Sequence, residues 1–358
     1  MHVPDGFINA PISVAAGVAA AGAVAVSLRG ARRELGGSPV GLVGAERTAP
    51  LAGLVAAFIF AVQMLNFPVA AGTSGHLLGG ALAAILVGPY TGVLCIAVVL
   101  LMQGVLFADG GLTALGVNIT VMGVVTVVVA YGLFRLLVTV LPRGRRSVTA
   151  ASFVAALVSV PAAAGAFTLI YSVGGTTDVP IGKVLTAMVG VHVLIGIGEA
   201  VITMLTVGAV LAVRPDLVYG ARGLSAPLKL RIGGELVDAE PVAAPAATGV
   251  SPRKVWLTGL AIPLVLAGVV SFYASASPDG LEKVAADKGI DKNVEEHAAA
   301  DSPLADYGVK DVSNARISGG LAGVIGVGAT VVVGSGVFLV VRRRRPAADE
   351  ATRVPESV

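Results

Sequence analysis

Residues 183–213 read KVLTAMVGVHVLIGIGEAVITMLTVGAVLAV, a run in which His192 and Glu199 are the sole ionisable side chains after Lys183. A helix needs about 20 predominantly apolar residues to cross the hydrocarbon core of a bilayer, so this run predicts a transmembrane helix with two titratable groups inside it. Eight more apolar segments lie outward from it, at about 8–28, 49–66, 76–88, 90–107, 113–141, 149–172, 255–275 and 317–341. The composition agrees, with 55% of the 358 residues apolar and 13% charged, where soluble domains carry roughly 25% charged residues. The mean hydropathy is +0.87. A soluble enzyme is excluded. With 47 Gly and 5% aromatic residues, the chain has the small side chains that let membrane helices approach closely, and it lacks the alternation of a transmembrane barrel. The expected fold is an all-α polytopic membrane protein, a seven-helix bundle followed by two C-terminal transmembrane helices. The third segment, 76–88, is short and is joined to the fourth by Gly88-Pro89-Tyr90, which predicts a tight hairpin of open depth.

With the N-terminus outside, 19 of the 25 basic residues fall on the cytoplasmic side, and Lys183, Lys283, Lys288, Lys292, Lys310 and Arg316 fall outside. The positive-inside rule selects this orientation, in the cell membrane and with the C-terminus cytoplasmic. The first residues, MHVPDGFINAP, lack the basic n-region of a secretory signal, so Met1 is expected to be the mature first residue, at the exterior face. Cys95, the single cysteine, permits no disulfide framework or thiolate cluster and reads as a small buried hydrophobe. The net charge of +3 follows the topology, and no nucleic-acid partner is expected.

Four regions are expected: a metal-binding membrane domain over 1–213, a flexible cytoplasmic linker over 214–254, a two-helix module over 255–341, and a basic cytoplasmic tail over 342–358. The module's exterior loop, 276–316, carries nine acids including Asp279, which either attract cations or simply solvate a loop. Gly319 and Gly323 form a G-x-x-x-G suited to close helix contact. The sequence holds no G-x-x-x-x-G-K-[ST] loop, since Gly182-Lys183 is followed by Val184, so ATP hydrolysis is expected in a separate subunit. Histidines at 2, 76, 192 and 297 assemble no Ser-His-Asp arrangement and no H-E-x-x-H motif.

His2 is the most informative of them. A histidine directly after a free amino terminus offers one ion the Met1 α-amine, the His2 amide nitrogen once deprotonated, and an imidazole nitrogen. His76, in Gly72-Thr73-Ser74-Gly75-His76, lies on the same side of the membrane and can complete a square plane. Four nitrogens suit Ni(II) and Cu(II) and accept Co(II), but not Mg(II) or Ca(II). The competing reading is two unrelated interfacial histidines. Glu199, seven residues from His192 and on the same helical face, requires a partner inside the protein. It either takes a structural hydrogen bond, from Asn118, Gln103 or a backbone amide, or serves a transport path. Asp109, in Phe107-Ala108-Asp109-Gly110-Gly111, sits at an exterior turn where cap chemistry competes with a site role.

Over about 1–215 the chain resembles the CbiM/NikM family, the substrate-binding membrane components of energy-coupling factor (ECF) transporters for cobalt and nickel. The resemblance rests on MHVPDGF, on Asn66-Phe67-Pro68-Val69 with GTSGHLLGG, on Gln103 to Gly111 leading into Leu115-Gly116-Val117-Asn118, and on His192 with Gly196, Gly198 and Glu199. It implies a square-planar nitrogen site formed by Met1, His2 and His76, with Asn66, Ser74, Gln103, Asp109, Asn118, His192 and Glu199 closing over and supporting it. Co(II) or Ni(II) would be the transported substrate, with no organic cofactor. The implied partners are a transmembrane coupling protein of the CbiQ/NikQ type and ATPases of the CbiO/NikO type. Ser277-Pro278-Asp279-Gly280-Leu281-Glu282-Lys283 is similar to the PDGLE module, elsewhere a separate small auxiliary chain and here fused. The expected function is cobalt or nickel capture for ATP-driven uptake. The alternatives are a stand-alone proton-coupled transporter, which would use Glu199 and His192, and a metal-sensing membrane receptor. The fused module, with His297 its one histidine and no cysteine, is expected to assist loading without forming the site.

Overall fold

The computed structural model describes residues 1–36, 48–70, 72–222, 229–232, 235–238 and 252–343. In lipid every backbone N–H and C=O must find its partner within the segment, which turns the apolar runs into helices. Helices α1 (Ala10–Gly36) and α2 (Thr48–Gln63) lead into a hairpin of β1 (Phe67–Ala70) and β2 (Thr73–Gly75), in which Phe67 pairs with Gly75 and Pro68 with Ser74. A helix of eight buried residues, α3 (Gly80–Val87), turns at Gly88 into α4 (Pro89–Leu106). Then α5 (Leu115–Asn118) runs through a π-helical stretch, Ile119–Val125, into α6 (Thr126–Val140), followed by α7 (Arg145–Gly174) and α8 (Ile181–Val213). Strands β3 (Lys229–Ile232) and β4 (Glu235–Asp238) pair antiparallel before α9 (Pro252–Gly268), α10 (Gly280–Lys288) and α11 (Ala315–Arg343).

The chain is an all-α polytopic membrane protein, and among the described residues seven helical stretches are long and apolar enough to cross a membrane. Segment 76–88 makes the expected tight hairpin with α4: its first four residues are non-helical, 80–87 form the buried α3, and the chain turns at Gly88. The region read as a flexible linker contains the β3–β4 hairpin, while 223–228, 233–234 and 239–251 lie outside the described residues, as do 37–47 and 344–358, which include most of the basic tail.

Small residues make the interior. Ala151, Ala155, Ala156, Ala163 and Ala164 are buried on α7, and the Ser152 and Thr168 hydroxyls donate to the Val148 and Ala164 carbonyls of the same helix, which satisfies them without a partner across the interface. Val14, Val18, Leu169, Leu205 and Val332 point outward, as lipid-facing residues do. The C-terminal hairpin of α9 and α11 lies against α2. Its tightest crossing is made by Gly320 and Gly323, where an added Cβ would fall 2.6 Å from the Gly268 carbonyl and 2.4 Å from the Ala267 carbonyl. Gly319, the other half of the motif read from sequence, meets nothing closer than 3.7 Å.

Candidate metal site

The site is assembled by segments that are not helical. The β1–β2 hairpin delivers the chain to His76, and the turn behind it is anchored by Glu199 of α8, whose carboxylate accepts the Leu78 N–H at 2.7 Å and the Gly79 N–H at 3.1 Å. These are amides at the start of α3 that no helical carbonyl can serve, so a buried charge and unpaired backbone donors answer each other. Of the partners considered from sequence, the backbone amide is the one present. His76 Nδ1 donates to the Leu77 carbonyl at 3.0 Å, because a carbonyl only accepts, and Nε2 is left facing the Met1 amine.

The N-terminal arm threads into the bundle, with Met1, Val3, Asp5 and Phe7 all buried. Asn118 acts as a substitute strand: its Oδ1 accepts the Val3 N–H at 2.8 Å and its Nδ2 donates to the Val3 carbonyl at 3.0 Å. Asp5 accepts from the Thr113 N–H at 2.8 Å and from the Thr113 hydroxyl at 2.5 Å. This close approach requires the glycines at 110 and 111, since Gly110 has φ 78° and a Cβ on Gly111 would fall 2.3 Å from the Asp5 nitrogen.

Held this way, the Met1 α-amine lies 2.6 Å from His76 Nε2. The His2 ring stacks on that of His76, with centroids 5.0 Å apart. His2 Nδ1 is 3.2 Å from Asp109 Oδ1 and Nε2 is 3.1 Å from Gln103 Oε1. A neutral imidazole donates at one nitrogen and accepts at the other, and the Gln103 amide can serve either role. Burial pushes the His2 pKa down to about 4, with the N-terminal ammonium and His76 adding to the shift and Asp109 opposing it.

The structure also places Asp279 here, which composition had left as one of nine loop acids. Its Oδ2 is 2.5 Å from the Met1 amine and 3.4 Å from His76 Nε2. Burial alone would raise this carboxyl, but the N-terminal ammonium and His76 outweigh burial and hold it well below the usual range. The fused module, expected to assist loading without forming the site, thus brings Asp279 into the cluster. The legible signal was Asp279-Gly280-Leu281-Glu282, a capping box at the head of α10. Two more contributors were missed and left no sequence signal, Asp5 and Tyr307. The Tyr307 hydroxyl donates to Asp109 Oδ2 at 2.6 Å, and its ring stacks on Phe107.

The remaining candidates serve the loop rather than the cluster. Ser74 Oγ donates to the Ser277 carbonyl at 2.7 Å, and the Asn66 carbonyl accepts the Ser275 N–H at 2.7 Å. His192 donates through Nδ1 to the Met188 carbonyl at 2.7 Å and lies beneath Gly280. His297 Nε2 donates to the Gly110 carbonyl at 3.2 Å. A cavity of about 600 Å³ adjoins the cluster, bounded by His2, His76, Asp109, Asp279, Tyr307 and Arg316. Among the described residues, one group of metal-ligating side chains is close enough to share an ion: His2, His76 and Asp279, with ligand atoms within 4.8 Å of one another.

Residues 2–217 match the family described as the cobalt uptake substrate-specific transmembrane region, and residues 253–343 match the PDGLE domain. A protein of Haloquadratum walsbyi named for metal transport is 40% identical, over 61% of this chain and 94% of the relative. A protein of Archaeoglobus fulgidus named as a fused nickel transport protein is 40% identical, over 69% of this chain and 77% of the relative. The fused nickel transport protein of Rhodobacter capsulatus is 40% identical over 38% of this chain and 37% of its own length.

Proposed function

From the premise that the chain belongs to the CbiM family, with a PDGLE domain fused behind it, we propose that it captures Ni(II) or Co(II) at the exterior face for an ATP-driven ECF-type importer. The observation that carries this is the convergence of the Met1 amine, the His2 ring and His76 Nε2 in one buried cluster beside a cavity. Burial holds the His2 pKa near 4, so that ring has no proton to lose at pH 7 before it ligates, and His76 Nε2 faces the amine beside it. Binding through His2 Nδ1 exchanges the Asp109 contact for the ion. The His2 amide, deprotonated on binding, closes the chelate between amine and imidazole.

Energy must come from elsewhere, because the sequence contains no phosphate-binding loop. A transmembrane coupling protein and a pair of ATPases would drive release inward. The charge bias of the loops supports an exterior N-terminus in the cell membrane. Glu199 is engaged with two backbone amides as an anchor of the His76 turn, which favours this reading over a stand-alone proton-coupled carrier.

The test is to place two or three residues before Met1, with the intact mass establishing the first residue of each sample. Ni(II) affinity, measured by competition with a chelator, should fall roughly 100-fold or more while the protein stays folded, and His76→Ala should do the same. Unchanged affinity in the extended protein would sink the chelate.

A further inference from the structure

We infer that Asp279 is itself a ligand of the captured ion, a carboxylate that the C-terminal module delivers to the amine–imidazole set. This rests on the capture reading above and goes beyond it.

Placement is the first argument. Ligand atoms on one transition-metal ion stand about 2 Å from it and so about 3–4 Å from each other. Asp279 Oδ2 is 2.5 Å from the Met1 amine and 3.4 Å from His76 Nε2, which leaves it within a small shift of sharing an ion with both. Orientation is the second. The two carboxylate oxygens are divided: Oδ1 accepts the Glu282 N–H at 2.9 Å, and Glu282 Oε2 accepts the Asp279 N–H at 2.9 Å. The capping box thus fixes the carboxylate plane and leaves Oδ2 turned to the site.

The support behind it is rigid. Ser74 N–H donates to the Pro278 carbonyl at 2.9 Å, and Leu281, Val284 and Ala285 bury the inner face of α10. Gly280 sits so close to α8 that an added Cβ would fall 2.7 Å from Ile195 Cδ1 and 3.2 Å from His192 Cε1. His192 and Ile195 therefore set the depth at which Asp279 enters.

Charge is the third argument. A divalent ion bound by one deprotonated amide keeps a single positive charge in a buried site. Asp279, 7% exposed, is the acid placed to neutralise it. Before metal arrives, the same carboxylate faces the N-terminal ammonium. Entry of the ion releases two protons to solvent, one from the ammonium and one from the His2 amide, and Asp279 exchanges one cationic partner for another. A carboxylate oxygen added to four nitrogens makes a five-coordinate centre, a geometry that Co(II) and Ni(II) accept.

The test uses the full-length protein in detergent, loaded with one equivalent of Ni(II) and separately of Co(II), and read by X-ray absorption and by chelator competition. The wild type should show five light-atom ligands, and Asp279→Asn should show four with an affinity lowered at least about 10-fold. Asp279→Glu should retain the fifth ligand. A four-coordinate, nitrogen-only wild type would overturn the inference without recourse to any variant, which covers the case in which Asp279→Asn fails to fold. Lowered affinity with an unchanged spectrum would also overturn it, making Asp279 a positioning residue. If the wild type binds no Ni(II) or Co(II) at all, the capture reading fails; if it binds and the asparagine variant matches it, this inference alone fails.

Discussion

At the scale of the residue, His2 and Asp279 carry opposite charge preferences that acid defeats together. The folded pKa of His2 lies near 4 and its unfolded value near 6.5, so between these the unfolded arm binds more protons. The docked arm accordingly loses stability as pH falls from about 6.5 to about 4, by something on the order of 3 kcal/mol, and no further below. The Asp279 carboxyl, depressed when folded, adds a loss that begins as pH falls below its usual value of 3.8. The protection factors of residues 1–7 in metal-free protein, taken against the intrinsic exchange rate at each pH, should be constant above pH 7 and fall on acidification. Protection factors that rise on acidification would contradict the assignment.

Tyr307 makes a sharper point at the same scale. Its hydroxyl reaches Asp109 Oδ2 while Asp109 Oδ1 faces His2, and burial, with Asp109 beside it, raises its pKa well above the ordinary value. It therefore stays a donor at any working pH. Tyr307→Phe keeps the ring on Phe107 and removes the donor, so Ni(II) affinity should drop several-fold to about 10-fold with thermal stability within about 1 kcal/mol of the wild type. Affinity equal to the wild type would show that Asp109 orients His2 unaided.

At the scale of the element, close approach decides what each segment can do. The α9–α11 crossing depends on backbone contact at Gly320 and Gly323. Gly323→Leu should cost about 1–3 kcal/mol or separate the two helices. The consequence to measure is faster Ni(II) release, because the loop that carries Asp279 and Tyr307 is held between these helices. Unaltered release kinetics would mean that the loop is anchored through α10 and α8 alone. The element lesson for sequence reading is similar. Gly319 and Gly323 have the right spacing, but helix rotation turns Gly320 to the contact, and rotation is set by packing partners that no local spacing encodes.

At the scale of the whole molecule, the N-terminal seven-helix bundle and the C-terminal hairpin meet at the arm. Glu295 N–H donates to the Asp5 carbonyl at 3.1 Å, Asp306 N–H to the Phe107 carbonyl at 2.9 Å, and Ser302 Oγ to the Leu106 carbonyl at 2.6 Å. Deleting 252–358 should leave a bundle that still binds through Met1, His2 and His76 but releases Ni(II) at least about 10-fold faster, as stopped-flow chelation would read. Retained slow release would show that the module does not close the site. Orientation is tested independently: single cysteines in a Cys95→Ala background should be labelled by an impermeant reagent from outside at position 298 and not at position 216.

What the sequence by itself determined is what depends on composition and on the immediate neighbourhood along the chain. Long apolar runs with few charges can only be helices in lipid. A histidine directly behind an amino terminus is a chelating arrangement whatever surrounds it, and Glu199 inside an apolar run had to have a partner. Tertiary structure alone decided which partner that was, and which acid of the loop mattered. Asp279 is 278 residues from Met1 along the chain, and the capping box it opens marks a helix start without saying what that helix start meets. It is singled out because it caps α10, because Ser74 and α8 seat that helix, and because a buried ammonium and imidazole stand where the free carboxylate oxygen arrives. Such selection is made by packing and desolvation among segments remote in sequence, and these exist only once the chain has folded.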